Sequence, residues 1–188
     1  MTPDDLSGLI PNDEGAALAV LAASVPADCA IVEIGSFRGK STAFLASGAK
    51  SGGGAPVFAV DPWDLPGNVY GKHGYNAPSV REQFEAQLRA ARLWSRVTPI
   101  QAFSVDAAAT WDGPEVGLLF IDGDHDAVEA DFEAWRPHLA ADHVVALDDI
   151  DTPRNPKVRE FADRVAATGT YDLEVVVPGR LAVLRPGR

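Results

Sequence analysis

The stretch LLFIDGDHDAVEADFEAW, residues 118–135, changes character in the middle. An apolar run ending at Ile121 is followed by three aspartates and a histidine within the five residues DGDHD, 122–126. The run predicts a buried strand, and the next apolar residues, Val128, Phe132, Trp135 and Leu139, recur at helical spacing. A strand that ends in acid and leads into a helix is the unit of a parallel α/β sheet, so this stretch decides the fold.

The same unit recurs along the chain. Apolar runs at AIVEIG (30–35), PVFAVD (56–61), VTPIQA (97–102), VGLLFID (116–122) and HVVALDD (143–149) predict five strands with helices between them. The segment 171–187 predicts two more strands, joined by a hairpin at Pro178-Gly179. We therefore expect an α/β fold: a doubly wound, seven-stranded, mostly parallel sheet with an antiparallel last strand. Ligands bind at the carboxyl ends of the strands in such sheets, where several of these runs end in acid.

Length and composition indicate one domain over residues 1–188, with a leading helix within 1–28 and a Gly/Pro/aromatic lid or substrate loop at 62–78. The net charge of −11 disfavours nucleic acid and acidic membranes as partners. No run approaches 18 apolar residues, and the acidic start MTPDDLSG does not resemble a signal peptide, so we expect a cytoplasmic protein. The single Cys29 excludes an internal disulfide.

The glycine-containing turn VEIGSFRGKST, residues 32–42, follows the first strand and admits several interpretations. A nucleotide-triphosphate loop needs four residues between its glycines, whereas Gly35 and Gly39 enclose three. A dinucleotide fingerprint needs a second glycine where Phe37 stands, and the bulky ring would keep a pyrophosphate away. A packing turn without a ligand and a nucleoside cofactor without phosphates both stay open.

The nucleoside interpretation gains support from two acids. Asp61 ends the second strand 22 residues after Gly39, a spacing that suits hydrogen bonding to ribose hydroxyls. Glu33 can receive an ammonium group, directly or through water. A cofactor with a ribose and an ammonium group but no phosphate points to S-adenosylmethionine.

The acid cluster after Ile121 has two further interpretations. Asp122, Asp124, Asp126 and Glu133 match EF-hand spacing, but Ala127 stands where that loop requires glycine, and Glu133 falls on a predicted helix. Alternatively, Asp122, Asp148 and Asp149 end adjacent strands and form an oxygen-rich site for Mg²⁺ or another hard divalent cation. A water-facing cluster without metal stays open. Asp124 or Asp126 then caps the next helix, and Asp131 and Glu133 are expected to be solvated charges.

His125 lies three residues after Asp122, where an imidazole can act as a general base near neutral pH. A surface histidine at the start of a helix is the alternative. In the 62–78 loop, His73 is a weaker candidate for contact with substrate.

Taken together, VEIGSFRGKST, VFAVDPW, FSVDAAATW, LLFIDGDHDAVEADFEAWRPHL and VVALDDI resemble the class I S-adenosylmethionine-dependent methyltransferases. More narrowly, they resemble the small metal-dependent O-methyltransferase branch that includes macrolide sugar O-methyltransferases and the cephalosporin-biosynthesis group. The resemblance implies a Rossmann-like methyltransferase fold and O-methylation of a small-molecule hydroxyl on a sugar, phenol or vicinal diol.

The resemblance also implies roles for individual residues. Cofactor contacts are expected at Glu33, Gly35, Ser36, Gly39, Asp61, Ser104 and Asp122, the metal ligands at Asp122, Asp148 and Asp149, and the base at His125 or Asp122. One departure is ADH where the family has a glycine pair before strand five. Because the chain is short, either the 62–78 loop or the second subunit of a homodimer must cover the substrate. A differently acting, hydroxylase-like protein or a non-catalytic cofactor-binding protein of the same fold stays possible.

Overall fold

The computed structural model describes residues 1–68, 70–75 and 77–187, except for the side chains of residues 72, 73, 77 and 78. In this part of the chain, seven strands alternate with six α-helices. The strands are β1 Ala30–Ile34, β2 Val57–Asp61, β3 Val97–Gln101, β4 Val116–Ile121, β5 Leu139–Leu147, β6 Tyr171–Val177 and β7 Leu181–Pro186. The helices are α1 Asn12–Ala23, α2 Lys40–Ser51, α3 Ala77–Ala90, α4 Ser104–Ala109, α5 Val128–Trp135 and α6 Pro156–Ala167.

The seven strands form one sheet in the order β3-β2-β1-β4-β5-β7-β6. The pairs among β1 to β5 are parallel, while β7 is antiparallel to both β5 and β6. The predicted fold class is therefore confirmed. The strand order reverses between β1 and β4, and a crevice for ligands opens at such a switch point, at the carboxyl ends of the strands.

Two apolar layers cover the two faces of the sheet because residues of a strand alternate between faces. One layer joins Ile31, Leu118 and Phe120 of the sheet to α1, α2 and α3. The other joins Val32, Leu119 and Ile121 to α5 and α6. The central strands β1 and β4 are buried along their whole length, which explains why their sequences are apolar apart from Glu33.

The structure differs from the sequence-based expectation in several places. Helix α5 ends at Trp135, and a 3-10 turn containing Pro137 leads into β5, so the apolar Leu139 begins a strand instead of closing the helix. Helix α4, six residues long, was not predicted. Val69 and Asn76 of the proposed 62–78 lid, and the side chain of His73, lie outside the described residues. No helix in the described ranges is long and apolar enough to cross a membrane.

Candidate active site

Three strand ends meet at one edge of the sheet, and backbone hydrogen bonds continue the ladder one residue beyond each strand. Gly35 N donates to Val60 O at 2.9 Å, Asp122 N to Ile34 O at 2.9 Å, and Asp148 N to Ile121 O at 3.1 Å. The rigid sheet therefore sets the positions at which the acidic side chains leave β4 and β5.

A cavity of about 720 Å³ lies above this edge, a size typical of small-molecule sites. Gly35 forms part of its floor with φ of +86°, and a Cβ there would lie 2.2 Å from the carbonyl oxygen of Asp122. Glycine is therefore required, because the turn after β1 packs directly on the backbone that follows β4. Of the predicted site residues, Gly35, Ser36, Asp61, Ser104, Asp122, His125 and Asp149 line this cavity.

Asp122 and His125, which line the cavity, converge with Asp148, which does not line it. Each offers one possible ligand atom, and these three atoms lie within 4.8 Å of one another. Ligands on opposite sides of one ion lie about 4.2 Å apart for Mg²⁺ and about 4.8 Å apart for Ca²⁺. The three side chains can therefore surround a cation with little movement.

Asp149 lies beside this group, and neighbouring side chains hydrogen-bond to its carboxylate. Thr152 Oγ1 donates to Oδ1 and Asn155 Nδ2 donates to Oδ2, each at 2.8 Å, and Arg180 Nη1 is 3.5 Å from Oδ1. Its backbone has φ of +56°, an uncommon value for aspartate that often marks a functional site. Among the described residues, His125 and not Asp149 completes the group of converging donors.

The family comparison decides the identity of the chain. A family model described as "Methyltransferase domain" matches residues 32–150, which is most of the sheet and the whole of this edge. The chain belongs to this methyltransferase family. The predicted class I resemblance is confirmed, and with it S-adenosylmethionine as the methyl donor.

Solved structures resemble the methyltransferase over nearly its whole length. Cofactor-bound Rv0187 from MTB matches with a TM-score of 0.75 and 20% identity, covering 97% of this chain and 84% of the other. The O-methyltransferase TomG from Streptomyces achromogenes, in complex with SAM, matches with 0.70 and 19%, covering 96% and 82%. An O-methyltransferase from Bacillus cereus, in complex with SAH, matches with 0.69 and 20%, covering 95% and 82%. At these identities the likeness establishes the fold.

Asp61 ends β2 and lies fully buried at the cavity wall. Its Oδ2 accepts hydrogen bonds from Phe37 N at 2.9 Å and from the hydroxyl of Tyr70, and its Oδ1 accepts one from Trp63 N at 2.6 Å. Trp63 is also fully buried, and its indole Nε1 donates to Phe37 O at 3.0 Å. Trp63 therefore anchors the glycine turn and is not part of the exposed lid that its loop was expected to form.

Glu33 and Gly39 do not line the cavity. Glu33 is fully buried beneath the glycine turn, where its Oε2 accepts a hydrogen bond from the Thr42 hydroxyl and its Oε1 has no partner among the described residues. Burial raises the pKa of Glu33 to about 7. Gly39 begins α2 with φ of +85° and faces the ring of Phe84, so its role in the structure is packing.

Asp131 is a site residue that the sequence-based interpretation placed wrongly. It was expected to be a solvated helix charge, yet it is only 5% exposed and lines the cavity near Ser104. Burial raises the pKa of Asp131 to about 6. Asp131 lies three residues after Val128 and four before Trp135, so helical spacing places it on the buried face of α5 with these two residues. This spacing could have predicted the burial of Asp131 from the sequence. Ser104 Oγ accepts a hydrogen bond from Trp135 Nε1 at 3.1 Å.

The converging group is electrostatically strained. Burial and the neighbouring Asp148 raise the pKa of Asp122 well above its usual range. Burial also raises the pKa of Asp148, but contacts with His125, Glu14 and Asp122 outweigh it and lower the value to about 2. Burial lowers the pKa of His125, whereas the carboxylates, Asp148 first, raise it more, so the net shift is upward. Such close carboxylates favour a bound cation.

Proposed function

We propose that the methyltransferase transfers the methyl group of S-adenosylmethionine to a hydroxyl of a small molecule, at a site that also holds a divalent cation. The observation that supports this most directly is the convergence of Asp122, His125 and Asp148, two of which, Asp122 and His125, line the large cavity. A site for cofactor binding alone has no need of this group.

Asp122 and Asp148 would hold the cation through carboxylate oxygens, with Asp149 beside them. Oxygen donors are those that Mg²⁺ and Mn²⁺ prefer, and Mg²⁺ usually retains several water molecules when only one or two carboxylates bind it. When bound, the cation supplies a Lewis acid that favours a deprotonated hydroxyl over a neutral one. This chemistry suits an acceptor with two neighbouring oxygens, such as a catechol or a sugar diol.

The part of the site that binds the methyl donor would lie at the other end of the cavity. The Asp61 carboxylate is positioned to accept hydrogen bonds from ribose hydroxyls, and Ser36 Oγ, buried and without a partner among the described residues, is a further polar contact. Ser104 and Asp131 offer oxygens for the amino group of the adenine.

His125 is the proposed base. Its Nε2 lies 3.6 Å from Asp148 Oδ2 and 3.8 Å from Asp149 Oδ2, so two carboxylates stabilise the imidazolium that forms when it takes the proton of the acceptor. Without a cation these carboxylates shift the pKa of His125 upward, and a cation bound to Asp148 would offset this shift, so the assignment as base rests on the position of His125 beside the cation site. TomG and the Bacillus cereus protein are named O-methyltransferases, which supports oxygen as the acceptor atom.

The test separates donor binding from cation binding. In calorimetric titrations, Asp148→Ala should weaken Mg²⁺ binding at least tenfold while S-adenosylhomocysteine still binds within about threefold of the unchanged protein. Asp142→Ala, which removes an exposed acid from the same strand β5, is the matched control and should change neither. With labelled methyl donor and a panel of catechols and sugar diols, transfer should cease in excess chelator. Full transfer under chelation would refute the role of the cation.

A further inference from the structure

One buried acid near the converging group is unexplained by the proposed function so far. Glu14 lies in the first turn of α1 and is fully buried. It occupies the inward face of the helix together with Leu18, Leu21 and Ala22, at positions spaced by four, seven and eight residues. No donor group among the described residues reaches its carboxylate oxygens, whose contact is with the carboxylate of Asp148. A buried polar group without a partner is costly, so its retention needs a reason.

Glu14 contacts Asp148 and borders a small cavity together with the converging acids. This cavity, of about 120 Å³, adjoins the large one and is lined by Glu14 together with Asp122, His125, Asp148 and Asp149. About 15 Å³ of such space is enough for one water molecule, so the cavity has room for a cation with several waters. The unpartnered oxygens of Glu14 therefore border a polar space large enough for a hydrated ion.

The charges around the small cavity are unbalanced. Four carboxylates line it, and the one cationic side chain among its lining residues is Arg180, whose guanidinium is about half exposed and 3.5 Å from Asp149. With a neutral histidine the formal charge is about −3, and a divalent cation would reduce it to about −1. Like charges this close destabilise one another unless bound protons or a cation neutralise them.

We propose that Glu14 is a fourth carboxylate of the divalent-cation site and binds the ion across the small cavity, directly or through a water molecule. The inference rests on the cation site of the proposed function and extends it to the leading helix. Glu14 does not belong to the three side chains whose donor atoms already converge, so a bridging water is compatible with its position. Its carboxylate would free His125 for proton transfer.

The test compares the full chain with two variants and one control. In calorimetric titration with MnCl₂, without acceptor, Glu14→Gln should weaken Mn²⁺ binding by roughly ten- to a hundredfold, because removal of a partner at a metal site typically has effects of this size. Glu160→Gln, which removes the same charge from an exposed position of α6, should bind Mn²⁺ as the unchanged protein does. Glu14→Asp keeps the charge on a shorter side chain and should lie between them, and it serves if the glutamine variant does not fold.

A second measurement distinguishes a ligand from a structural residue. Mn²⁺ should raise the melting temperature of the unchanged protein and of Glu160→Gln by more than that of Glu14→Gln. Equal Mn²⁺ affinity in folded Glu14→Gln and the unchanged protein would overturn the role of Glu14 alone. Failure of the unchanged protein to bind Mn²⁺, while it still binds S-adenosylhomocysteine, would overturn the cation site and Glu14 with it.

Discussion

The carboxylate of Asp61 illustrates how much the site depends on single side chains. A carboxylate offers about four lone-pair positions, and three on Asp61 already accept hydrogen bonds, from Phe37 N, Trp63 N and the Tyr70 hydroxyl. Two ribose hydroxyls need two positions, so one present donor must leave. The Phe37 and Trp63 donors are backbone groups, and Trp63 is fully buried, whereas the Tyr70 hydroxyl is at the end of a side chain and is the donor that can move by side-chain rotation.

Tyr70→Phe should therefore tighten binding of S-adenosylhomocysteine. The variant keeps the aromatic contact with Phe37 but removes the competing hydroxyl, and a net hydrogen bond of about 1 kcal/mol corresponds to roughly fivefold in affinity. The ligand-free variant should lose about 1 kcal/mol of unfolding free energy for the same reason. Calorimetry and urea unfolding measure the two effects. Tyr75→Phe, whose ring also packs against Phe37, is the control, and weaker binding by Tyr70→Phe would show that the hydroxyl stays on Asp61.

At the scale of elements, the close packing of α1 against α2 brings the leading helix to the active site. A Cβ at Gly48 would lie 2.1 Å from the carbonyl oxygen of Ala19, and one at Gly15 would lie 2.3 Å from the ring of Phe44. The two helices can approach this closely only because glycine occupies these positions. The first turn of α1, and Glu14 with it, thereby reaches the ends of β4 and β5.

Gly48→Ala should separate these helices. The new methyl group meets backbone, which cannot rotate away, so overpacking should lower the unfolding free energy by about 1–3 kcal/mol despite the better helix propensity of alanine. Urea unfolding measures this loss. Gly71→Ala, where a Cβ would meet no heavy atom of the described residues within 4 Å, is the control. If both variants unfold alike, the close approach of α1 to α2 is not a determinant of stability.

At the scale of the whole molecule, several buried acids have raised pKa values, so stability and pH are coupled. For each of them the folded protein binds a proton more tightly than the unfolded chain does, and stability falls as pH rises through the folded pKa. The acids are Glu14, Glu33, Asp61, Asp122 and Asp131. The proposed site thus contains acids that the ligand-free fold does not favour in their charged form.

Glu33→Gln should weaken this pH dependence. The pKa of Glu33 rises from 4.5 to about 7, so its stabilising contribution is complete below about pH 4.5 and is lost as pH rises through about 7. At about 1.4 kcal/mol per pKa unit, the total is on the order of 3 kcal/mol. Unfolding free energies of the ligand-free proteins at about pH 5 and pH 8 should differ less in Glu33→Gln than in the unchanged protein. The exposed Glu82→Gln should keep the full difference, and an unaltered difference in Glu33→Gln would contradict the shift.

The sequence alone determined the order of the strands and of the helices other than α4, the parallel sheet with its final hairpin, and the sheet edge at which Asp61, Asp122 and Asp148 lie. These features follow from local apolar runs and from the rule that parallel strands end on one edge. Only the tertiary structure decided that Asp131 and Glu14 are buried at the site, that Asp149 is held by Thr152 and Asn155, and that Tyr70 caps Asp61. Burial of a helix residue depends on how the helix is rotated against elements distant in sequence, and those long-range contacts leave little trace in local spacing.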